Sequence, residues 1–203
     1  MTKLIETPES FLSVTPFNDD GLLESCVADV SGLLIQNPPI VMYGKTMYQH
    51  RDVGFFSNEC DGYRYTGQTA KPQALTSSLE KMLQHVNQLF GSNFNGILVT
   101  RYKDGNDRTG AHSDRKRNVT SDNGIGVGVG IGVVSVSYGA VRKFRIRDKK
   151  TKKVVSDIPT ISGQMIQMGG KFQKEFTHEI PVQKKIKEVR YSFTLRNYIS
   201  QTQ

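Results

Sequence analysis

His112 and Asp114 stand two positions apart in the chain. On an extended segment, residues i and i+2 project to the same side, so one strand end can offer an imidazole and a carboxylate to one ion. A second histidine from elsewhere would complete a set of two nitrogens and one oxygen. That set leaves coordination positions open and suits redox-active Fe(II). An HxD pair alone is a weak signal, and a surface-turn histidine is its ordinary reading. The chain has four His in all, which limits the third ligand. His85 falls midway along an amphipathic helical pattern, beside its apolar side, where a surface role is ordinary. His50 sits in a tyrosine-rich loop. His178 ends a strand-like run just before Pro181 and is the best placed of the three.

A second constellation lies in Arg190–Arg196, R-Y-S-F-T-L-R. In a strand, Arg190, Ser192, Thr194 and Arg196 share one face, and Tyr191, Phe193 and Leu195 share the other. If a helix covers the apolar face, the arginine face turns into the protein. Inward arginines are unfavourable unless they meet anions. A small dicarboxylate answers this, because each guanidinium can grip a carboxylate through two hydrogen bonds. An arginine face in water is the plain alternative; a metal triad on the same chain favours the dianion.

Other elements must position these groups. The pattern predicts a helix from Ser77, with Glu80 completing a capping box and Gly91 closing the end. Leu79, Met82, Leu83, Val86 and Phe90 fall on one side of it at helical spacing. A second helix is expected over Asp20–Ile35, and a turn at Asn37-Pro38-Pro39. Residues 41–72 read as short strands and loops. Strands are expected over Asn95–Tyr102, Gly124–Tyr138, Lys143–Arg147, Thr160–Met168, Gln173–Ile180 and Glu188–Tyr198, with a hairpin turn at Asp148–Thr151. Many short strands point to a sandwich or barrel: mainly β, with flanking helices. Gly126, Gly128, Gly130 and Gly132 alternate along one strand face. They lack the spacing of a nucleotide-binding loop and fit a strand that another backbone approaches closely.

Composition sets outer bounds. With 203 residues, the chain fits one domain: residues 1–40 as an N-terminal extension packed on the core, and 41–203 as the main unit. Within that unit, about 41–75 forms a substrate-side region and about 92–198 the β core. No run approaches the ~20 apolar residues of a membrane helix, and no secretory pattern opens the chain. An intracellular location, cytoplasmic or nuclear, is the expectation. Cys26 and Cys60 are too few and too isolated for a disulfide scaffold. Lys plus Arg exceed Asp plus Glu by 27 to 19, a formal charge of +8, which draws the protein toward polyanions, nucleic acid first. Nothing demands an obligate protein partner.

Asn95–Asp114, NGILVTRYKDGNDRTGAHSD, together with SGQMIQMGGKFQKEFTHEIP and VRYSFTLRN, resembles the AlkB family of Fe(II)/2-oxoglutarate-dependent dioxygenases. The likeness rests on H-x-D, a later histidine before proline, and R-x5-R, and extends over roughly residues 40–198. The stretches RDVGFFSNECDGYRYTG and SYGAVRKFRIR resemble that family's substrate-side region and central strands.

The resemblance implies a double-stranded β-helix, or jelly roll. It implies Fe(II) held by His112, Asp114 and His178, and 2-oxoglutarate held by Arg190 and Arg196 with help from Tyr102, Thr100, Ser192 and Thr194. O2 is the oxidant, and ascorbate serves as reductant in vitro. No catalytic residue beyond the metal ligands is implied. The substrates it implies are N-alkylated bases in DNA or RNA, which leave their stack to reach the metal and release the methyl group as formaldehyde, with succinate and CO2. Tyr63 and Tyr65, with Phe55 and Phe56 behind them, are the candidates to receive a base. Arg51, Arg115, Lys116 and Arg117 are candidates to meet substrate. Two positions depart from the family pattern. Thr100 stands where many members have Asn, and Lys116 and Arg117 stand where acids commonly follow H-x-D. The second departure favours a neutral base over a cationic one. It also keeps open a 2-oxoglutarate hydroxylase acting on a protein side chain or a small molecule. A non-catalytic jelly-roll binding module is the third reading, and the intact set of ligands and arginines argues against it.

Overall fold

A computed structural model describes the chain except Tyr43, Asp61, 66–67, 115–131 and 199–203, and without the side chains of Met42, 63–65 and 68–69. The first half contains β1 (Thr2–Glu6), β2 (Ser10–Pro16), α1 (Asp20–Val30), β3 (Pro39–Met42), β4 (Lys45–Tyr48), β5 (Asp52–Phe56), β6 (Tyr63–Tyr65), β7 (Gln68–Ala70) and α2 (Ser77–Phe90). The second half contains β8 (Gly96–Tyr102), β9 (Thr109–His112), β10 (Val133–Gly139), β11 (Lys143–Asp148), β12 (Val154–Pro159), β13 (Gln164–Gly170), α3 (Phe172–Glu175), β14 (Phe176–Ile180) and β15 (Arg190–Arg196).

Two antiparallel sheets face each other. The larger runs β1-β2-β13-β10-β15-β8-β5 and the smaller β12-β11-β14-β9. This is the jelly roll expected from the sequence. One core lies outside the larger sheet, where Leu79, Met82 and Val86 of α2 and Leu23, Cys26 and Val30 of α1 cover Val99, Val136, Phe193 and Leu195. The other lies between the sheets and includes Leu12, Phe144, Ile146, Ile166, Met168 and Phe176. Strand β15 separates the two. Tyr191, Phe193 and Leu195 belong to the helix-side core, and the alternate residues turn inward. The predicted two-faced strand is therefore present, bounded at Arg190 and Arg196.

Several expectations need correction. Residues 1–40 do not merely pack on the core: β2 hydrogen-bonds along β13, with Val14 opposite Ile166 and Leu12 opposite Met168, and β1 extends the sheet. Serines interrupt the β2 pattern, but Ser13 is buried because its hydroxyl bonds Gln167 Oε1 at 3.1 Å. The cap of α2 is Thr76, not Ser77: Thr76 Oγ1 accepts from Leu79 N–H at 3.3 Å. Glu80 then falls beyond the reciprocal position and accepts from Asn58 Nδ2 instead. Gly91 does end α2 in the left-handed region, φ 60°. Helix α1 stops at Val30, short of Ile35. The run expected as one strand over Thr160–Met168 begins with a turn through Gly163, φ 73°, and β13 starts only at Gln164. The run expected over Gln173–Ile180 begins as the single turn α3.

The Asp148–Thr151 turn closes the β11–β12 hairpin, with Asp148 Oδ1 accepting from Thr151 N–H at 2.6 Å. Strand β12 had no sequence signal of its own because Val154 and Val155 are both exposed on an edge. Of the expected strand Gly124–Tyr138, the described part is β10, and Gly126, Gly128 and Gly130 lie outside the described residues. At Gly132 a Cβ would stand 2.7 Å from the Met168 carbonyl, so here the small side chain does admit another backbone. Cys26 and Cys60 are buried thiols. Burial, more than any neighbour, pushes the Cys26 thiol up to about 11, which suits packing rather than reactivity.

Because α2 holds the outer face of β15 and β8, truncating its deepest side chain should weaken the whole sheet. Met82→Ala is expected to lower unfolding free energy by about 2–5 kcal/mol. Leu89→Ala, on the exposed side of the same helix, should change it by less than about 0.5 kcal/mol. Urea denaturation followed by circular dichroism measures both.

Candidate metal centre and dicarboxylate cavity

In the smaller sheet, β9 and β14 are antiparallel neighbours, and His112 lies directly opposite His178. Their rings stand 4.3 Å apart, centroid to centroid. Asp114 follows β9 by two residues. One ligand atom from each of His112, Asp114 and His178 falls within 4.8 Å of the others. The chain fixes each part of this motif. The His112 Nδ1 lies 2.9 Å from the Gly110 carbonyl, and donating there leaves Nε2 with its lone pair. The Ser113 hydroxyl donates to the Phe176 carbonyl at 2.8 Å. The Asp114 Oδ1 accepts from Arg196 Nη2 at 2.8 Å.

The donor set fits a divalent metal. Burial, above all, keeps His112 and His178 below their ordinary pKa, His178 at about 3. Burial would raise Asp114, but Arg196, His178 and His112 outweigh it and hold the carboxyl below the usual range. Neutral imidazoles and an ionised carboxylate are the forms that bind metal. Asp114 Oδ2 and His178 Nδ1 are buried without a protein hydrogen-bond partner among the described residues. A buried polar atom in that condition calls for a partner, and a metal ion would supply one to both atoms at once.

The triad stands in a cavity of about 350 Å³ between the sheets. Its floor is the inward face of β15 with its neighbours. The register sets Arg190 between Tyr102 and Gly139, Ser192 between Thr100 and Ser137, and Thr194 between Leu98 and Ser135. Thr100, Tyr102, Arg190, Ser192, Thr194 and Arg196 all line the cavity, as does Arg51. Arg190 is 2 % exposed. Its Nε donates to Thr160 Oγ1 at 3.0 Å and its Nη2 to Ser137 Oγ at 3.1 Å. Its Nη1 is buried with no protein partner among the described residues. Burial lowers its pKa to about 10, so it remains a cation at neutral pH. A buried guanidinium with an N–H left unpaired, and a second buried guanidinium, Arg142, close by, is a receptor for one end of an anion.

Arg51 donates from Nε to Gln49 Oε1 at 3.0 Å and from Nη1 to Thr109 Oγ1. Thr109 in turn bonds the Tyr102 hydroxyl at 2.7 Å. Arg51 thus joins the cavity wall through Thr109, which carried no sequence signal. The side chains of Tyr63 and Tyr65, and Arg115, Lys116 and Arg117 entirely, lie outside the described residues. Phe55 and Phe56 are buried in hydrophobic clusters, so both pack rather than face the cavity. His85 packs against the Phe17 ring at 4.9 Å and His50 is exposed, and among the described residues neither joins the triad's ligand group.

Arg142 was also missed. It is 1 % exposed, donates to the carbonyls of Asp104, Asp107 and Pro181 at 2.8 Å each, and lies 5.7 Å from the Tyr102 ring centre. Its role is to tie the β8–β9 loop to the end of β14, so that Tyr102 and Thr109 meet. In sequence it was one more arginine in a basic stretch; its burial depends on carbonyls that only the fold brings together.

A family model described as the 2OG-Fe(II) oxygenase superfamily matches residues 22–196. The DNA oxidative demethylase ALKBH2 of Homo sapiens is 31% identical over 144 residues, which cover 68% of this chain and 52% of that protein. The ALKBH2 of Mus musculus is 30% identical over 145 residues, 68% of this chain and 57% of that protein. The chain therefore spans about half the length of these relatives. The solved structure of OsALKBH1 superposes with a TM-score of 0.61 over 95% of this chain and 100% of that one, at 16% identity, which marks a shared fold.

The buried histidine has a consequence for acid stability. Below about pH 6.5 the unfolded chain protonates this imidazole while the folded one resists to about pH 3. Unfolding then takes up a proton, so stability falls as pH drops through that window. Metal-free wild type should lose melting temperature from pH 6.5 to 4, and His178→Gln should show a shallower loss. Differential scanning calorimetry at fixed ionic strength compares the two slopes.

Proposed function

The chain belongs to the AlkB family of the 2OG-Fe(II) oxygenase superfamily, and from that premise we propose that it oxidatively removes alkyl groups from N-alkylated bases in DNA or RNA. The observation that carries this reading is one cavity holding both halves of the chemistry. His112, Asp114 and His178 converge at one side of it, and Arg190 and Arg196 stand on its β15 floor. His112, Asp114 and His178 would hold Fe(II), which with 2-oxoglutarate and O2 would supply the oxidation of an N-methyl group to a hydroxymethyl group, released as formaldehyde beside succinate and CO2.

The protein's own part is placement. Arg190, deep in the cavity, takes one carboxylate of 2-oxoglutarate through its free N–H. Ser192 and Thr194, on the same face, offer hydroxyls along the molecule's length. Arg196 neutralises Asp114 and adds positive charge at the triad. Tyr102, fixed by Thr109, closes the wall. His112, the most exposed ligand, stands toward solvent at the side where a substrate base would enter. The apolar wall formed by Ile166, Met168 and Phe144 limits water at the reacting carbon. Nucleic acid as substrate is supported by the named activity of the ALKBH2 relatives and by the chain's charge of +8. Among the described residues no helix is long and apolar enough to cross a membrane. An intracellular site of action, where such substrates are found, belongs to this reading. So does the division of the chain into one dioxygenase domain over 41–203 with residues 1–40 joined to its sheet.

The test is to incubate the protein with Fe(II), ascorbate, 2-oxoglutarate and a panel of methylated DNA and RNA oligonucleotides, reading oligonucleotide mass and succinate together. Loss of a methyl mass with matching succinate is expected. Succinate with unchanged oligonucleotides would overturn the nucleic-acid substrate and favour a hydroxylase of proteins or small molecules. In the same assay Arg190→Ala should raise the 2-oxoglutarate KM by about 30-fold or more, the equivalent of roughly 2 kcal/mol for a buried charge deprived of its partner. A wild-type KM would remove Arg190 from the cosubstrate site.

A further inference from the structure

Strand β9 ends at His112, so Ser113 and Asp114 lie beyond its ladder with β14. Polar groups in that position must find partners elsewhere. For Asp114 the partner is Gln173: its Oε1 accepts from the Asp114 N–H at 2.9 Å. The other end of the same amide is also fixed, because Nε2 reaches Met168 Sδ at 3.6 Å on the cavity wall. Gln173 itself sits in α3, the single turn between β13 and β14, and its carbonyl accepts from Lys149 Nζ at 2.6 Å. The turn is further tied to β11–β12 through Lys149 N–H and the Glu175 carbonyl at 2.9 Å. A lysine-held helical turn therefore reaches across to the backbone of the carboxylate ligand.

We propose that Gln173 is a positioning residue for the metal-binding carboxylate of Asp114. Asp114 is then held at two points. Arg196 takes Oδ1, Gln173 takes the backbone N–H, and Oδ2, without a partner among the described residues, is left to a metal. Without the Gln173 acceptor, the Asp114 N–H loses its partner, and an unpaired donor of this kind favours a shifted backbone. A shift of that backbone carries the carboxylate out of register with His112 and His178. The required atom is a hydrogen-bond acceptor at the end of a four-atom side chain, which Glu supplies and Leu does not. This inference rests on the metal reading of the triad and is independent of the substrate.

The experiment is a titration of the full chain with Mn(II) alone, a redox-stable probe for an Fe(II) site, followed by calorimetry and by the Mn(II) electron paramagnetic resonance line shape. Removing a group that orients a ligand weakens metal binding about 10- to 100-fold. Gln173→Leu should show that loss and a broadened spectrum, and Gln173→Ala, which removes the same acceptor with less bulk, should match it. Gln173→Glu should restore both affinity and line shape. Wild-type affinity in Gln173→Leu or Gln173→Ala would overturn the proposal, and so would equal weakening in Gln173→Glu. Failure of the wild type to bind Mn(II) at all would instead overturn the metal reading on which it stands.

Discussion

Buried positive charge on one face of a strand is the constraint around which this molecule is arranged. Arg190 and Arg196 are 2 % and 4 % exposed, and Arg142 is buried beside Arg190. Cations cannot stay in such a place unless dipoles, carboxylates or anions answer them. The fold answers each in its own way. Arg142 meets three carbonyls, Arg196 meets Asp114, and Arg190 meets two hydroxyls, with a guanidinium N–H left for a ligand. The helices on the outer side of β15 matter for the same reason. They occupy its apolar face, so the strand has no other way to turn, and the arginines cannot reach solvent on that side.

The same arrangement sets the state of the metal ligands. Arg196 lies against Asp114 and lowers its pKa, while desolvation lowers both histidines, the deeply buried His178 to about 3. The cavity thus prepares its donors before any ion arrives, and protonation of the ligands presents little barrier near neutral pH. Arg196 lines the cavity beside the triad, so its charge acts on Asp114 and on the cavity together.

The sequence disclosed the parts that depend on short-range pattern. The R-x5-R strand could be read with its two faces correctly assigned, because alternation over seven residues leaves one register. The H-x-D pair and the α2 stripe were legible for the same reason. The helix cap was misplaced by one residue, since Thr76, Ser77 and Ser78 are each capable of capping. What remained hidden depends on distant segments meeting. Ser10–Pro16 carries too few apolar residues to announce an inner strand, and it becomes one only because β13 pairs with it. Arg142, Thr109 and Gln173 are ordinary polar residues until loops from elsewhere bring their partners. No spacing in the chain encodes those contacts.

The antiparallel pairing of β9 with β14 sets His112 and His178 face to face, and this has a consequence for how that side of the sheet is kept in alignment. Among the described strands β9 is a four-residue edge with little apolar surface to secure it. Sliding it by one residue would turn the imidazole of His112 to the opposite side of the sheet. A bound ion would permit only one alignment, acting as a clasp on the weakest strand and closing a loop between distant stretches of chain. An apoprotein with a loose β9 and a loaded one with a fixed β9 would then differ in local opening rather than in overall shape.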